Sequence, residues 1–129
     1  MILNISGQLT NNSIAIPNIS LAFGNYNFSL INFIGILNAP LKISEIIEIS
    51  CDLVVRDEAN PHRIIGFFEV FQDNDFINFT PTHLLNYKLR VFDISSLELK
   101  FRGLTSDQNL EFSQVAFQIK IEQTYARFQ

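Results

Sequence analysis

The sequence predicts an all-β fold: a two-sheet antiparallel sandwich of about eight strands, jelly-roll-like in its strand count. Three observations predict it. Apolar and polar residues alternate with period two in several segments, no twelve-residue window keeps a helical period, and turn-forming clusters separate the short apolar runs. At 129 residues the chain makes one domain, 1–129, long enough to bury a core without staples. It is 47% apolar, with 13 Phe, 18 Ile, 13 Asn and no Trp. Ile and Phe suit a pleated, half-buried surface, and Asn suits turns because it tolerates left-handed backbone.

The C-terminal third reads most clearly. Val115, Phe117, Ile119 and Ile121 alternate with Ala116, Gln118, Lys120 and Glu122, which gives a strand with one dry face. Leu97, Leu99 and Phe101 alternate in the same way with Glu98, Lys100 and Arg102. A polar turn beginning at Gly103 separates the two strands, which either form a hairpin or belong to opposite sheets. Leu89 and Val91 mark another strand, ending near Asp93. The segment Ile43 to Arg56 puts Ile47, Ile49, Cys51, Leu53 and Val55 on one face and stops at the loop 57–62. Residues 63–71 form a strand closed by Asp73-Asn74-Asp75, and Phe76 to Phe79 form a short one that stops at Pro81. The N-terminal part gives strands at 2–5 and 13–16, and a stretch 21–37 that reads as two strands bent near Gly24-Asn25 or Gly35. A short helical turn is expected near Leu41 to Ile47.

Two segments break the alternation. In 30–37 and in 64–71 both parities are apolar. A strand with two dry faces covers the second face with its own chain or with a neighbouring subunit. On the second alternative the candidate interface residues are Ile31, Phe33, Phe67 and Phe71, together with Tyr125 and Phe128 of the C-terminal tail.

Composition argues against several function classes. Net charge is −4 and the nine basic residues form no cluster, so no phosphate-tracking stripe exists and nucleic acid is not an expected partner. Charged residues are only 17%, and depletion of charge is a feature of interface centres. The start, Met1 to Ser6, lacks the pattern of a secretion signal. The apolar stretch from Leu30 to Leu41 is interrupted by Asn32, Asn38 and Pro40, short of the roughly 20 apolar residues a spanning helix needs. Sequons at Asn4, Asn11, Asn18, Asn27 and Asn78 then read as chance in an Asn- and Ser-rich chain.

No catalytic, cofactor-binding or metal site is expected. His62 and His83 each stand without a Cys or carboxylate at ligand spacing. Cys51, on the inward parity, reads as a small hydrophobe rather than a nucleophile. Asp73 and Asp75 begin like a calcium loop, but the later Gly and Glu are missing, so a turn is the better reading. Neither a phosphate loop nor a nucleophile elbow occurs, and no small-molecule substrate is evident.

From Glu48 to Tyr125 the chain carries Ile49-Ser50-Cys51-Asp52-Leu53-Val54, a loop with Asn60, and Ile64-Ile65-Gly66-Phe67-Phe68. Next come Ile77-Asn78-Phe79-Thr80-Pro81, the strand 84–90, Ile94 to Leu99, a loop with Asn109, Leu110-Glu111-Phe112 and Val115 to Ile121. This layout resembles the C-terminal part of jelly-roll capsid or vertex-type proteins of Polinton-like elements and related eukaryotic DNA viruses. The loop after Thr105 lacks a further glycine of that pattern. The resemblance implies a structural virion protein, made in the host cytoplasm, that assembles with itself or docks on other capsid proteins. The alternative is a carbohydrate- or receptor-binding module such as a fibre head, with Tyr26, Tyr87 and Asp73 to Asp75 as its loop candidates. A small β-sandwich enzyme would require carboxylates or histidines that converge only in three dimensions.

Overall fold

Among the described residues ten strands form in chain order: β1 (Ile2–Gly7), β2 (Ser13–Ser20), β3 (Asn25–Leu37), β4 (Glu45–Cys51), β5 (Ile64–Val70), β6 (Phe76–Phe79), β7 (Tyr87–Lys88), β8 (Asp93–Gly103), β9 (Gln108–Leu110) and β10 (Phe112–Thr124). The structure, a computed structural model, describes residues 1–124. The fold is an all-β sandwich of two antiparallel sheets. One runs β1-β10-β3-β6, with β7 also on β3; the other runs β2-β8-β4-β5, with β9 also on β8.

The topology follows from one long ribbon. β4 pairs β5, β3 pairs β6, β2 pairs β8 and β1 pairs β10, so the pairs nest around the β4–β5 hairpin. Rolling that ribbon brings β10 against β3 and β4 against β8, which completes the sheets. This is jelly-roll connectivity, with eight strands on the two main paths. The alternating strands β8 and β10 therefore lie in opposite sheets, and β8 makes its hairpin with β9 instead.

Alternation decides the core. Val115, Phe117, Ile119 and Ile121 of β10 face Leu97, Leu99 and Phe101 of β8, and all are buried. Phe33 sits at the centre. Its ring lies 5.3 Å from Phe101, 5.4 Å from Phe112, 6.0 Å from Phe68 and 6.3 Å from Phe117. Offset and edge-on aromatic pairs of this kind each add about 0.5–1.5 kcal/mol beyond burial.

β3 is a single strand, with no bend at Gly35; the turn at Gly24 precedes it. Gly35 serves close packing instead, because a Cβ there would run into the rings of Phe112 and Phe33. The irregularity in β3 is a bulge at Ile31. Leu30 pairs Ile119 and Asn32 pairs Gln118, so Ile31 is the extra residue. The bulge switches the inward parity from Tyr26, Phe28 and Leu30 to Phe33, Gly35 and Leu37.

No helix occurs among the described residues. The turn expected near Leu41 to Ile47 is overridden because Glu45 already pairs Val70 across β4–β5. Leu41 is held by backbone bonds, its N–H donating to Asn74 (3.1 Å) and its carbonyl accepting from Asp73 (2.8 Å). β4 also ends sooner than its apolar pattern. At Asp52 the carboxylate accepts from the Glu98 N–H (2.8 Å) and the carbonyl accepts from Arg90 Nε (3.0 Å), which turns the chain out of the ladder. The strand expected around Leu89 and Val91 shrinks to β7, with Leu89 making one bridge to Val54. Between β1 and β2, Asn11 and Asn12 both take positive φ (51° and 66°) inside reciprocal Thr10–Ser13 backbone bonds. That is the type I′ turn Asn favours.

Candidate assembly surface

The two doubly apolar segments resolve into bulged strands, each with an inner and an outer set. In 30–37 the outward residues are Ile34 and Ile36, 38% and 39% exposed. In β5, Ile65 is the bulged residue, since Ile49 pairs Gly66 and Ser50 pairs Ile64. Beyond it Phe67 (49% exposed) points outward and Phe68 inward, and Phe71 just past the strand is also exposed (62%).

Of the candidate interface residues, the structure therefore keeps Phe67 and Phe71 on the surface. Phe33 is corrected: it is fully buried by its own chain, because the Ile31 bulge turns that parity inward. Ile31 is half-buried at the bulge. Tyr125 and Phe128 lie outside the described residues.

Phe76 is the residue that sequence reasoning missed. It is 57% exposed at the start of β6 and pairs Ile36. A crevice of about 320 Å³ takes in Ile34, Ile36 and Phe76, and a second of about 380 Å³ takes in Phe67, Phe71 and Phe76. Phe76 is common to both, so the exposed apolar side chains form one band that runs from the outer face of β3 round to β5. Burying such a band releases roughly 25 cal/mol per Å².

The remaining polar features of interest serve the fold. Glu45 is buried, and its Oε1 accepts from the Ser106 N–H (2.7 Å), which latches the turn between β8 and β9. Gly103 is required beside it, since a Cβ there would overlap the Glu45 carboxylate. Cys51 is buried, and desolvation pushes its thiol from 9.0 up to about 12, so it is a packed hydrophobe and not a thiolate. Tyr26 is likewise buried, with its hydroxyl donating to the Ala22 carbonyl (2.7 Å), which removes it from the loop residues free to stack on a ligand. Tyr87 is half-buried, and desolvation raises its phenol. Asp73, at φ 69°, forms a turn whose neighbours tie β3 and β6 together: the Asp75 carbonyl accepts from Leu37 N–H (2.7 Å). Among the described residues, no three His, Cys, Asp or Glu side chains converge as metal ligands, and no helix is long and apolar enough to cross a membrane.

Comparison with family models, curated proteins and solved structures finds no match to this chain. The fold and surface thus define a class, a jelly-roll β-sandwich with an exposed aromatic band.

Proposed function

We propose that this chain is a structural virion subunit, a capsid, vertex or spike component that works by docking on copies of itself or on other capsid proteins. The observation that carries this reading is the band of Ile34, Ile36, Phe67, Phe71 and Phe76. Monomeric proteins seldom leave contiguous aromatic surface in water, and such patches mark interaction sites. The strand order supports the reading, because jelly-roll sandwiches include viral capsid domains along with lectins and cupins. The low fraction of charged residues, 17%, agrees with surface that partners cover.

Light scattering across a range of protein concentrations tests it. A defined oligomer or larger closed assembly is expected, and Phe71→Ser combined with Phe76→Ser should disperse it without unfolding the chain. A wild-type chain that stays monomeric at every concentration overturns self-assembly.

A further inference from the structure

Residues 1–41 contain no Asp, Glu, Lys, Arg or His; every charged side chain lies from Lys42 onward. The topology turns this stretch into a place. β1 and β2 are edge strands on the same side of the sandwich, one in each sheet. Natural edge strands are guarded against pairing by charge, proline, bulges or shortness. β2 has Pro17 inside a break of register between Ala15 and Ile19. β5 has the Ile65 bulge and exposed Glu69, while β6, β7 and β9 are four, two and three residues long. β1 has none of these devices: its six residues pair β10 in unbroken register.

The register fixes which backbone groups of β1 are free. Met1 and Ile121 exchange both hydrogen bonds (3.0 and 2.9 Å). In an antiparallel ladder such pairs alternate, so Leu3, Ile5 and Gly7 also bond to β10. The N–H and C=O of Ile2, Asn4 and Ser6 then point away from the sheet, and β1 has no second neighbour among the described residues. On the outer face a row of amides leads to the same edge. Asn32 Nδ2 donates to Gln118 Oε1 (2.6 Å), and Gln118 Nε2 donates to Asn4 Oδ1.

We propose that β1 is a two-fold contact between copies of this chain, in which it pairs antiparallel with β1 of a second molecule. Asn4 faces Asn4 of the partner subunit, and Ile2 faces Ser6 of the partner subunit. The free groups are those of Ile2, Asn4 and Ser6, and reversing the strand about Asn4 maps this set onto itself, so each free N–H meets a free C=O. On the two-fold axis position 4 meets itself, so a charge there would meet the same charge, and a charge at position 2 or 6 would need its opposite at the other. A strand whose side chains at 2, 4 and 6 are all uncharged meets both conditions, which is what selects a second copy as occupant. The amide row then continues across the junction, and the two β1-β10-β3-β6 sheets merge into one.

This inference rests on the assembly reading and names one of its contacts, a backbone pairing that adjoins the aromatic band at Ser6 and Gly7. Its test is light scattering against concentration for the wild-type chain and for Asn4→Lys, Ser6→Pro and Asn109→Lys. Asn4 is exposed, so lysine leaves the fold intact and sets like charges opposite each other. Proline at Ser6 removes an N–H that the fold does not use. Both variants should raise the concentration needed for association by about tenfold or more. Asn109→Lys, the same charge change on exposed β9, should not. Hydrogen exchange of the peptide 1–8 should slow as the wild-type chain associates. Association unchanged by Asn4→Lys and Ser6→Pro but lost on substituting Phe71 and Phe76 overturns the β1 contact and leaves the assembly reading standing. An equal effect of Asn109→Lys also overturns it. A monomeric wild-type chain overturns both.

Discussion

Phe33→Ala separates a core role from an interface role at a position where the sequence alone leaves both open. The side chain is fully buried against Phe68, Phe101, Phe112 and Phe117. Returning a fully buried Phe to water costs about 1.5–3 kcal/mol. The cavity left among rings 5.3 to 6.3 Å away, which collapse only in part, raises the loss to about 3–5 kcal/mol. A domain holds roughly 5–15 kcal/mol in all, so this is about a fifth of its stability at the least. At a urea slope of about 2 kcal/mol/M, the midpoint should fall by about 2 M with the slope unchanged. Phe67→Ala, at a half-exposed position, should cost under about 1 kcal/mol and act on association instead. The measurement is urea unfolding followed by circular dichroism, run beside light scattering. If Phe33→Ala left the midpoint in place and abolished association, the parity switch at Ile31 would be refuted.

Two further predictions follow from buried groups and from the bulge. The Cys51 thiol fits the core only when protonated, and its value is raised from 9.0 to about 12 by burial. The unfolded chain releases that proton above pH 9 and the folded chain does not, so this contribution is intact below pH 9 and is lost as pH rises to 12. Three units correspond to on the order of 4 kcal/mol. Cys51→Ala should flatten the alkaline fall in stability seen in urea unfolding at pH 9 to 11, and an identical slope in the variant would contradict the assignment. Deleting Ile31 should leave the fold intact at a loss of roughly 1 kcal/mol, because Leu30, Asn32 and Phe33 then alternate without a bulge. Deleting Ile34 instead forces Phe33 or Leu37 off the core face and should cost about 3 kcal/mol or more in the same unfolding assay. Equal losses for the two deletions would show that the extra residue lies elsewhere.

The parts of the fold legible in the sequence are those where one face is wet. In β8 and β10 the charged residues between Leu97 and Phe101 and between Val115 and Ile121 mark the parity, and the structure keeps it. β3 and β5 are apolar on both parities, so their bulges leave no trace in composition, and only the partner register shows that Ile31 and Ile65 are the extra residues. The end of β4 at Cys51 was hidden for a different reason: the bonds that turn the chain at Asp52 come from Arg90 and Glu98, far away in sequence. Sheet membership was also out of reach, because pairing across the nested ribbon is nonlocal. For the candidate surface, Phe67 and Phe71 stood out on a doubly apolar segment. Phe76 did not, since a strand of four residues is too short to display a face, and its exposure depends on where Ile36 lies beside it.

Nesting also explains how a property of sequence position becomes a property of surface. In a ribbon folded about β4–β5 and then rolled, the first two strands come to flank one side of the sandwich while β5 and β6 flank the other. A charge-free run at the start of the chain therefore supplies both edges of one side, β1 and β2, and only β3 is drawn into a sheet interior. The far side carries Glu69 on β5 and the Asp73 and Asp75 turn. The same rolling brings Phe71 and Phe76, five residues apart across that turn, to the rim where the two sheets meet. Two unlike surfaces thus arise on one molecule, adjoining at Ser6 and Gly7. One is an edge strand whose further pairing would be directional, because it would depend on backbone hydrogen bonds. The other is an aromatic band whose burial against a partner would be non-directional, because it would depend on area removed from water. A subunit that joins copies around more than one axis needs two contacts of this kind, since a single isologous contact closes after two molecules.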